Sequence, residues 1–147
     1  MSITQTGQNI DRELLINEAL EARKMAYTPY SEYKVGAALL TADGKIYRGC
    51  NIENASYTPT NCAERTAFFK AVSEGERNFK AIAIVGGKGE KPDDYAWPCG
   101  VCRQVMREFC DPKTFHVITA ISENQFVDKT LAEILPDSFG PDNLHKI

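Results

Sequence analysis

Apolar positions recur at helical spacing near the start of the chain. Leu15, Ala19, Ala22 and Ala26 share one face of a segment over residues 11–26, with Asp11 placed to cap it. The run Tyr27-Thr28-Pro29-Tyr30-Ser31 ends that helix, because Pro29 cannot continue it and restricts the residue before it. Two strand-like runs follow, Val35 to Thr41 and Lys45 to Ile52, and Asp43-Gly44 between them predicts a hairpin. Cys62 to Glu74 lacks Gly and Pro, stops at Gly75 and has Thr60 or Asn61 available as a cap, so it reads as a second helix. Phe79 to Val85 is a short apolar run suited to a buried strand. Pro98 suits the first turn of a third helix reaching about Cys110, with Val101, Val105 and Phe109 at i, i+4 and i+8. Thr114 to Ile121 reads as a strand, Gln125 to Asp128 as a weaker one, and Leu131 to Leu135 as a short helix before a tail containing Pro and Gly.

Strand, helix, strand, helix, strand in the middle of the chain implies right-handed crossovers around a parallel core, and the hairpins at either end add antiparallel strands. The expected fold is therefore α/β: a three-layer α/β/α domain with a mixed central sheet of about five strands. With 147 residues, no internal repeat and no long linker, residues 1–147 read as a single domain.

Charge narrows the partners. Twenty acids against 17 bases give a net charge of -3, and no basic run exceeds Arg23-Lys24, so no stable nucleic-acid partner is expected. No long apolar window occurs and Met1 to Ile10 is polar, so no membrane partner is expected and the protein reads as soluble, unexported and cytoplasmic. Five cysteines in such a chain (Cys50, Cys62, Cys99, Cys102, Cys110) point to metal binding or redox chemistry before disulfides.

Cys99 and Cys102 stand three residues apart at the start of one predicted helix, and Cys62 opens the other. Exposed N–H groups and the helix dipole favour thiolates there. In an open α/β sheet such helix starts gather at the carboxyl ends of the strands, where sites are built, so the three sulfurs can converge. Three thiolates on Zn²⁺ leave one tetrahedral position for water. Glu64, two residues after Cys62, is close enough to take a proton from that water and pass it to a nitrogen. Arg65 and the two helix starts are the available compensation for thiolate charge.

A Cys-x-x-Cys pair alone also fits a redox pair or a structural zinc module, the latter closing its site with Cys50. Cys110 at a helix end reads as a packed thiol, and His116 and His145 as structural or solvated. Gly86-Gly87-Lys88-Gly89 lacks the spacing of a phosphate loop and reads as a flexible surface loop. Tyr27, Tyr30, Tyr33, Tyr57 and Trp97 fit either core and turn positions or the walls of a pocket for a planar base.

Pro-Cys-x-x-Cys with a separate zinc ligand and a non-ligand Glu is a deaminase signature. Beyond it, the stretches 27–38 (Tyr-Thr-Pro-Tyr-Ser-Glu-Tyr-Lys-Val-Gly-Ala-Ala), 51–57 (Asn-Ile-Glu-Asn-Ala-Ser-Tyr), 62–66 (Cys-Ala-Glu-Arg-Thr), 98–104 (Pro-Cys-Gly-Val-Cys-Arg-Gln) and 135–141 (Leu-Pro-Asp-Ser-Phe-Gly-Pro) occur in an order that resembles the small homotetrameric cytidine deaminases. The resemblance implies hydrolytic deamination of cytidine and deoxycytidine to uridine and deoxyuridine, with attack at C4 and release of ammonia. It implies one Zn²⁺ per subunit on Cys62, Cys99 and Cys102, and proton transfer by Glu64. Asn51 and Glu53 would bind the ribose 3′-hydroxyl region, Ala63 would offer backbone contacts to the base, and Arg65 would offset thiolate charge. Tyr33 stands where the family commonly has a Phe stacked beside the base. Tyr57 and Phe139 resemble residues that neighbouring subunits of a homotetramer contribute to shared pockets for the nucleoside.

Overall fold

The computed structural model describes residues 9–145. Helix α1 (Arg12–Arg23) starts at Asp11, whose side chain accepts a hydrogen bond from the Leu14 N–H. Its Leu15, Ile16, Ala19 and Ala22 are buried. It stops three residues short of Ala26 because Tyr27 leaves to pair with the chain at Asn51 and Ile52. Strands β1 (Lys34–Thr41) and β2 (Ile46–Cys50) form the expected antiparallel hairpin, and Gly44 at φ 97° supplies the left-handed turn residue.

Helix α2 (Ala63–Ser73) leads to β3 (Phe79–Gly87), and α3 (Gly100–Phe109) leads to β4 (His116–Ser122). Strand β5 (Gln125–Thr130) and the short helices α4 (Leu131–Ile134) and α5 (Pro141–Leu144) complete the described chain. The five strands lie in the order β2-β1-β3-β4-β5, a mixed sheet. The parallel core is narrower than the order of elements suggests. Only β3 and β4 are hydrogen-bonded in parallel, because β1 inserts antiparallel between β2 and β3.

Alternation along the strands makes the three layers. Ala81, Ala83 and Val85 of β3 pack with α1 residues Leu15, Ile16 and Ala19 on one face. Ile82 and Ile84 pack with α2 and α3 on the other, around Ala67, Phe68 and Met106. Two glycines set how closely the helices approach. A Cβ on Gly36 would lie 2.2 Å from the Ala19 carbonyl oxygen of α1, and one on Gly49 would lie 2.4 Å from the Ala63 carbonyl oxygen of α2. Only a residue without a side chain permits either contact.

Three details differ from the sequence reading. Helix α2 is capped by neither Thr60 nor Asn61: Cys62 is its N-cap residue, with extended backbone and no side-chain cap bond. Pro98 stands before α3 and outside its first turn, because the Cys99 sulfur takes the cap and accepts from the Cys102 N–H at 3.5 Å. The inward face of α3 is Cys102 and Met106, with Val105 and Phe109 half-buried, while Val101 is exposed. Turning Cys102 inward toward the other thiols rotates Val101 out.

Among the described residues no helix is long and apolar enough to cross a membrane.

Candidate metal centre and active site

The carboxyl ends of β2 and β3 and the amino end of β1 meet at one edge of the sheet, since Lys34 pairs with Gly87 and Gly36 with both Val85 and Cys50. Helices α2 and α3 begin at that edge. Their N-cap residues are Cys62 and Cys99, both extended, so each sulfur stands at the mouth of a helix among free N–H groups.

The sulfurs converge. Cys62 Sγ lies 4.0 Å from Cys99 Sγ, Cys99 Sγ lies 3.6 Å from Cys102 Sγ, and all three fall within 4.8 Å of one another. Three sulfurs bonded at ~2.3 Å to one tetrahedral Zn²⁺ stand roughly 3.8 Å apart, so the donor set and its spacing fit zinc. Cys50 is not in this group, and no fourth thiol closes it. Cys110 is a buried thiol whose pKa burial pushes up.

Arg65 Nη2 donates to Cys62 Sγ at 3.3 Å. Within the triad the Cys62 thiol is pulled down to about 5, first by its hydrogen bond with Cys102 and then by Arg65, while that same hydrogen bond and burial push the Cys102 thiol up. The Arg65 Nε is buried without a hydrogen-bond partner, and the guanidinium meets the triad through Nη2. Glu64, on the first turn of α2, is only 5 % exposed. Burial pushes its carboxyl up to about 7, and the neighbouring Cys62 adds to the shift.

Cys62, Ala63, Glu64 and Cys99 line one side of a cavity of about 360 Å³ whose other walls are Tyr33, Val35, Asn51, Tyr95, Ala96 and Trp97. Concavities of about 490 and 500 Å³ elsewhere, beside Phe109-Cys110 and beside Lys113-His116, gather no set of reactive groups like this one. The Asn51 amide bridges two strands: Oδ1 accepts from the Val35 N–H at 2.9 Å and Nδ2 donates to the Tyr33 carbonyl at 2.8 Å. Two of its four hydrogen-bonding capacities remain.

Glu53, Tyr57 and Phe139 do not line this cavity. The Glu53 carboxylate accepts from the N–H groups of Tyr30 and Ser31, each at 3.0 Å, and from the Ser31 hydroxyl, which pins the 30–31 turn. Tyr57 is exposed at φ 65° beside Tyr30, and Phe139 is exposed with its carbonyl held by Gln104 Nε2 at 2.9 Å. His116 is structural: its Nδ1 lies 2.9 Å from Asp128, which also pairs with Arg12. His145 is exposed. Gly86 and Gly87 belong to the buried end of β3 and not to a surface loop, which begins at Lys88.

Tyr95 and Ala96 carry no motif and escape the sequence reading. Trp97, open there between core and pocket, is a wall residue. A polar, Pro-containing loop running directly into a ligand cysteine was the available signal.

The model of the cytidine and deoxycytidylate deaminase zinc-binding region matches residues 9–118. A cytidine deaminase of Sporosarcina psychrophila is 51 % identical over 92 % of this chain and 96 % of its own length. One from Halalkalibacterium halodurans is 49 % identical over 92 % and 99 %. Among solved structures, the cytidine deaminase of Burkholderia pseudomallei superposes with a TM-score of 0.78 at 48 % identity, covering 86 % of this chain and 97 % of that one. The enzyme from Mycobacterium tuberculosis gives 0.77 at 36 % identity, over 90 % and 99 %. Sheet order, converging thiols and similarity along nearly the whole chain agree, and the chain belongs to the zinc-binding cytidine and deoxycytidylate deaminase family.

Proposed function

We propose that the protein hydrolyses the exocyclic amine of cytidine and deoxycytidine, giving uridine or deoxyuridine and ammonia, as one catalytic unit over residues 1–147. The observation that carries this reading is the buried Glu64 carboxyl beside three converged thiols, at a cavity that Cys62, Glu64 and Cys99 line. A structural zinc module would need a fourth thiolate and gives no reason for a buried acid.

Cys62, Cys99 and Cys102 would hold Zn²⁺, which when bound supplies a Lewis acid that makes water acidic enough to react near neutral pH. Glu64, buried beside the thiols and in the cavity lining, is assigned both proton transfers, to N3 of the ring and then to the departing amine. Arg65 offsets thiolate charge through Cys62. The Ala63 backbone lies beside Glu64 in the cavity lining, suited to polar contacts along the base edge, and the Tyr33 ring is assigned to the base's flank. Asn51, with two capacities unspent, is assigned the sugar hydroxyls, and Glu53 holds the neighbouring turn in place for the same subsite.

Tyr57 and Phe139 are assigned to the pocket of an adjacent subunit in a homotetramer. Their exposure supports this reading: the backbone of each is held while most of the ring stays in water, Tyr57 meeting the Tyr30 ring edge to face. We place the enzyme in the cytoplasm. The test compares absorbance loss on cytidine, its 5′-monophosphate and free cytosine. Cytidine should have the highest kcat/KM, and a preference for the monophosphate or the free base would overturn the nucleoside assignment.

A further inference from the structure

Arg23, the last residue of α1, is 5 % exposed, although its head group carries a charge. A buried guanidinium requires its donors to be satisfied. Arg23 satisfies them on carbonyl oxygens: Nε donates to Lys34 at 3.0 Å, Nη1 to Glu90 at 2.9 Å, and Nη2 to Gly87 and Gly89 at 2.6 Å each. Four of its five N–H groups thus hold three separate stretches of backbone, the start of β1, the end of β3 and the loop that follows.

Those stretches carry the upper wall of the cavity. Lys34 lies between Tyr33 and Val35, which both line it, and the loop from Lys88 returns to Tyr95, Ala96 and Trp97. The return is close. Gly86 pairs with Asp94 in an antiparallel bridge, and a Cβ on Gly86 would come 2.8 Å from Ala96 Cβ, 3.2 Å from Tyr33 Cε1 and 3.3 Å from Val35 Cγ2. Three wall side chains therefore meet over one glycine, at a junction whose backbone Arg23 ties from behind.

We infer that Arg23 is a positioning residue for substrate binding, which fixes the Tyr33-Val35 and Tyr95-Trp97 walls against each other without touching substrate or metal. The inference rests on the cavity being the nucleoside site. Lysine cannot replace it fully, because an ammonium offers three donors from one point and cannot span four carbonyls in fork geometry.

Trp97 is the only tryptophan in the chain, so its emission reports this wall directly. In zinc-loaded Arg23→Gln, KM for cytidine should rise by about tenfold with kcat within about twofold, the pattern of lost binding without lost chemistry. Acrylamide should quench Trp97 more readily, and Arg23→Lys should fall between the two proteins in both readouts. A folded Arg23→Gln protein with unchanged KM and unchanged quenching would overturn the inference, as would a fall in kcat at constant KM. The wild-type protein gives an independent reading if the variants do not fold. Lys88 is exposed, but the Gly87 and Gly89 carbonyls on either side of it are held, so trypsin should cut after Lys88 far more slowly than in the urea-unfolded chain. Equal cutting rates would overturn the strap. Absence of cytidine turnover in the wild type would instead refute the assigned activity, and quenching and proteolysis would still decide the role of Arg23.

Discussion

The zinc end of the cavity and an exposed aromatic rim outside it, Tyr57 and Phe139, are built on opposite terms. At the zinc end the reactive groups sit on helix starts and the innermost are buried: Glu64 is 5 % exposed and Cys102 is buried, while Cys62 is half-buried, Cys99 is exposed and Arg65 donates to the Cys62 sulfur. At the rim the backbone is held but the rings are not. Tyr57 sits in a turn closed by its N–H to the Asn54 carbonyl and by the Thr60 N–H to its own carbonyl, yet it is 72 % exposed. Phe139 is 59 % exposed although Gln104 holds its carbonyl and Arg107 holds Ser138 and Asp142 on either side. Gly140 follows because a Cβ there would lie 2.3 Å from the Arg107 guanidinium carbon. One region is thus packed within the chain, while the other leaves its rings in water.

That contrast can be broken first at the zinc end. Glu64→Gln preserves shape and removes the proton carrier, so turnover should fall ~10²- to 10⁴-fold with zinc content unchanged. Near-normal turnover in the zinc-loaded variant would remove Glu64 from the chemistry. At the rim, Phe139→Ala should lose about tenfold or more in kcat/KM if the ring closes over a neighbour's substrate. The sharper form mixes chains. Co-expressed Phe139→Ala and Glu64→Ala subunits should recover activity that neither has alone, because some sites then pair an intact Glu64 with an intact Phe139. Confirmed mixed oligomers as inactive as both parents would confine Phe139 to its own subunit.

A separate effect concerns stability without metal. Burial raises the Glu64 pKa in the folded state from an ordinary 4.5 to about 7, so the folded protein favours the protonated acid. Its favourable contribution is complete below pH 4.5 and is lost as pH rises through about 7. Metal-stripped Glu64→Gln should therefore become more stable than the metal-stripped wild type across that window, by about 3 kcal/mol at the upper end. Parallel pH-stability curves for the two proteins would contradict the burial argument.

What the sequence makes legible follows from how local each feature is. Cys62, Glu64 and the Cys99-Cys102 pair are short-range patterns at helix starts, and the hairpin at Asp43-Gly44 is equally local, so all are readable in order. The insertion of β1 between β2 and β3 depends on strand pairing over long separations, and it reduces the parallel core to one pair. The inward face of α3 shifts by one position because the Cys102 sulfur, and not the Val101 side chain, is drawn toward the other thiols. Arg23 was invisible for a different reason. Its partners are carbonyl oxygens, which every residue carries, so no residue type at Lys34, Gly87, Gly89 or Glu90 announces the strap. Tyr57 and Phe139 stand out in the sequence by resemblance alone, because neither lines the cavity of its own chain.

The central claim is that three cysteines hold a zinc ion on which turnover depends. Zinc removed under reducing conditions and returned in steps, with bound metal and cytidine turnover measured on the same samples, tests it most directly. Activity should stand at background without metal, rise in proportion to bound zinc and level at one zinc per chain, with no recovery in Cys99→Ala. Full turnover in protein shown to be free of metal, or full zinc binding by Cys99→Ala with normal turnover, would contradict it.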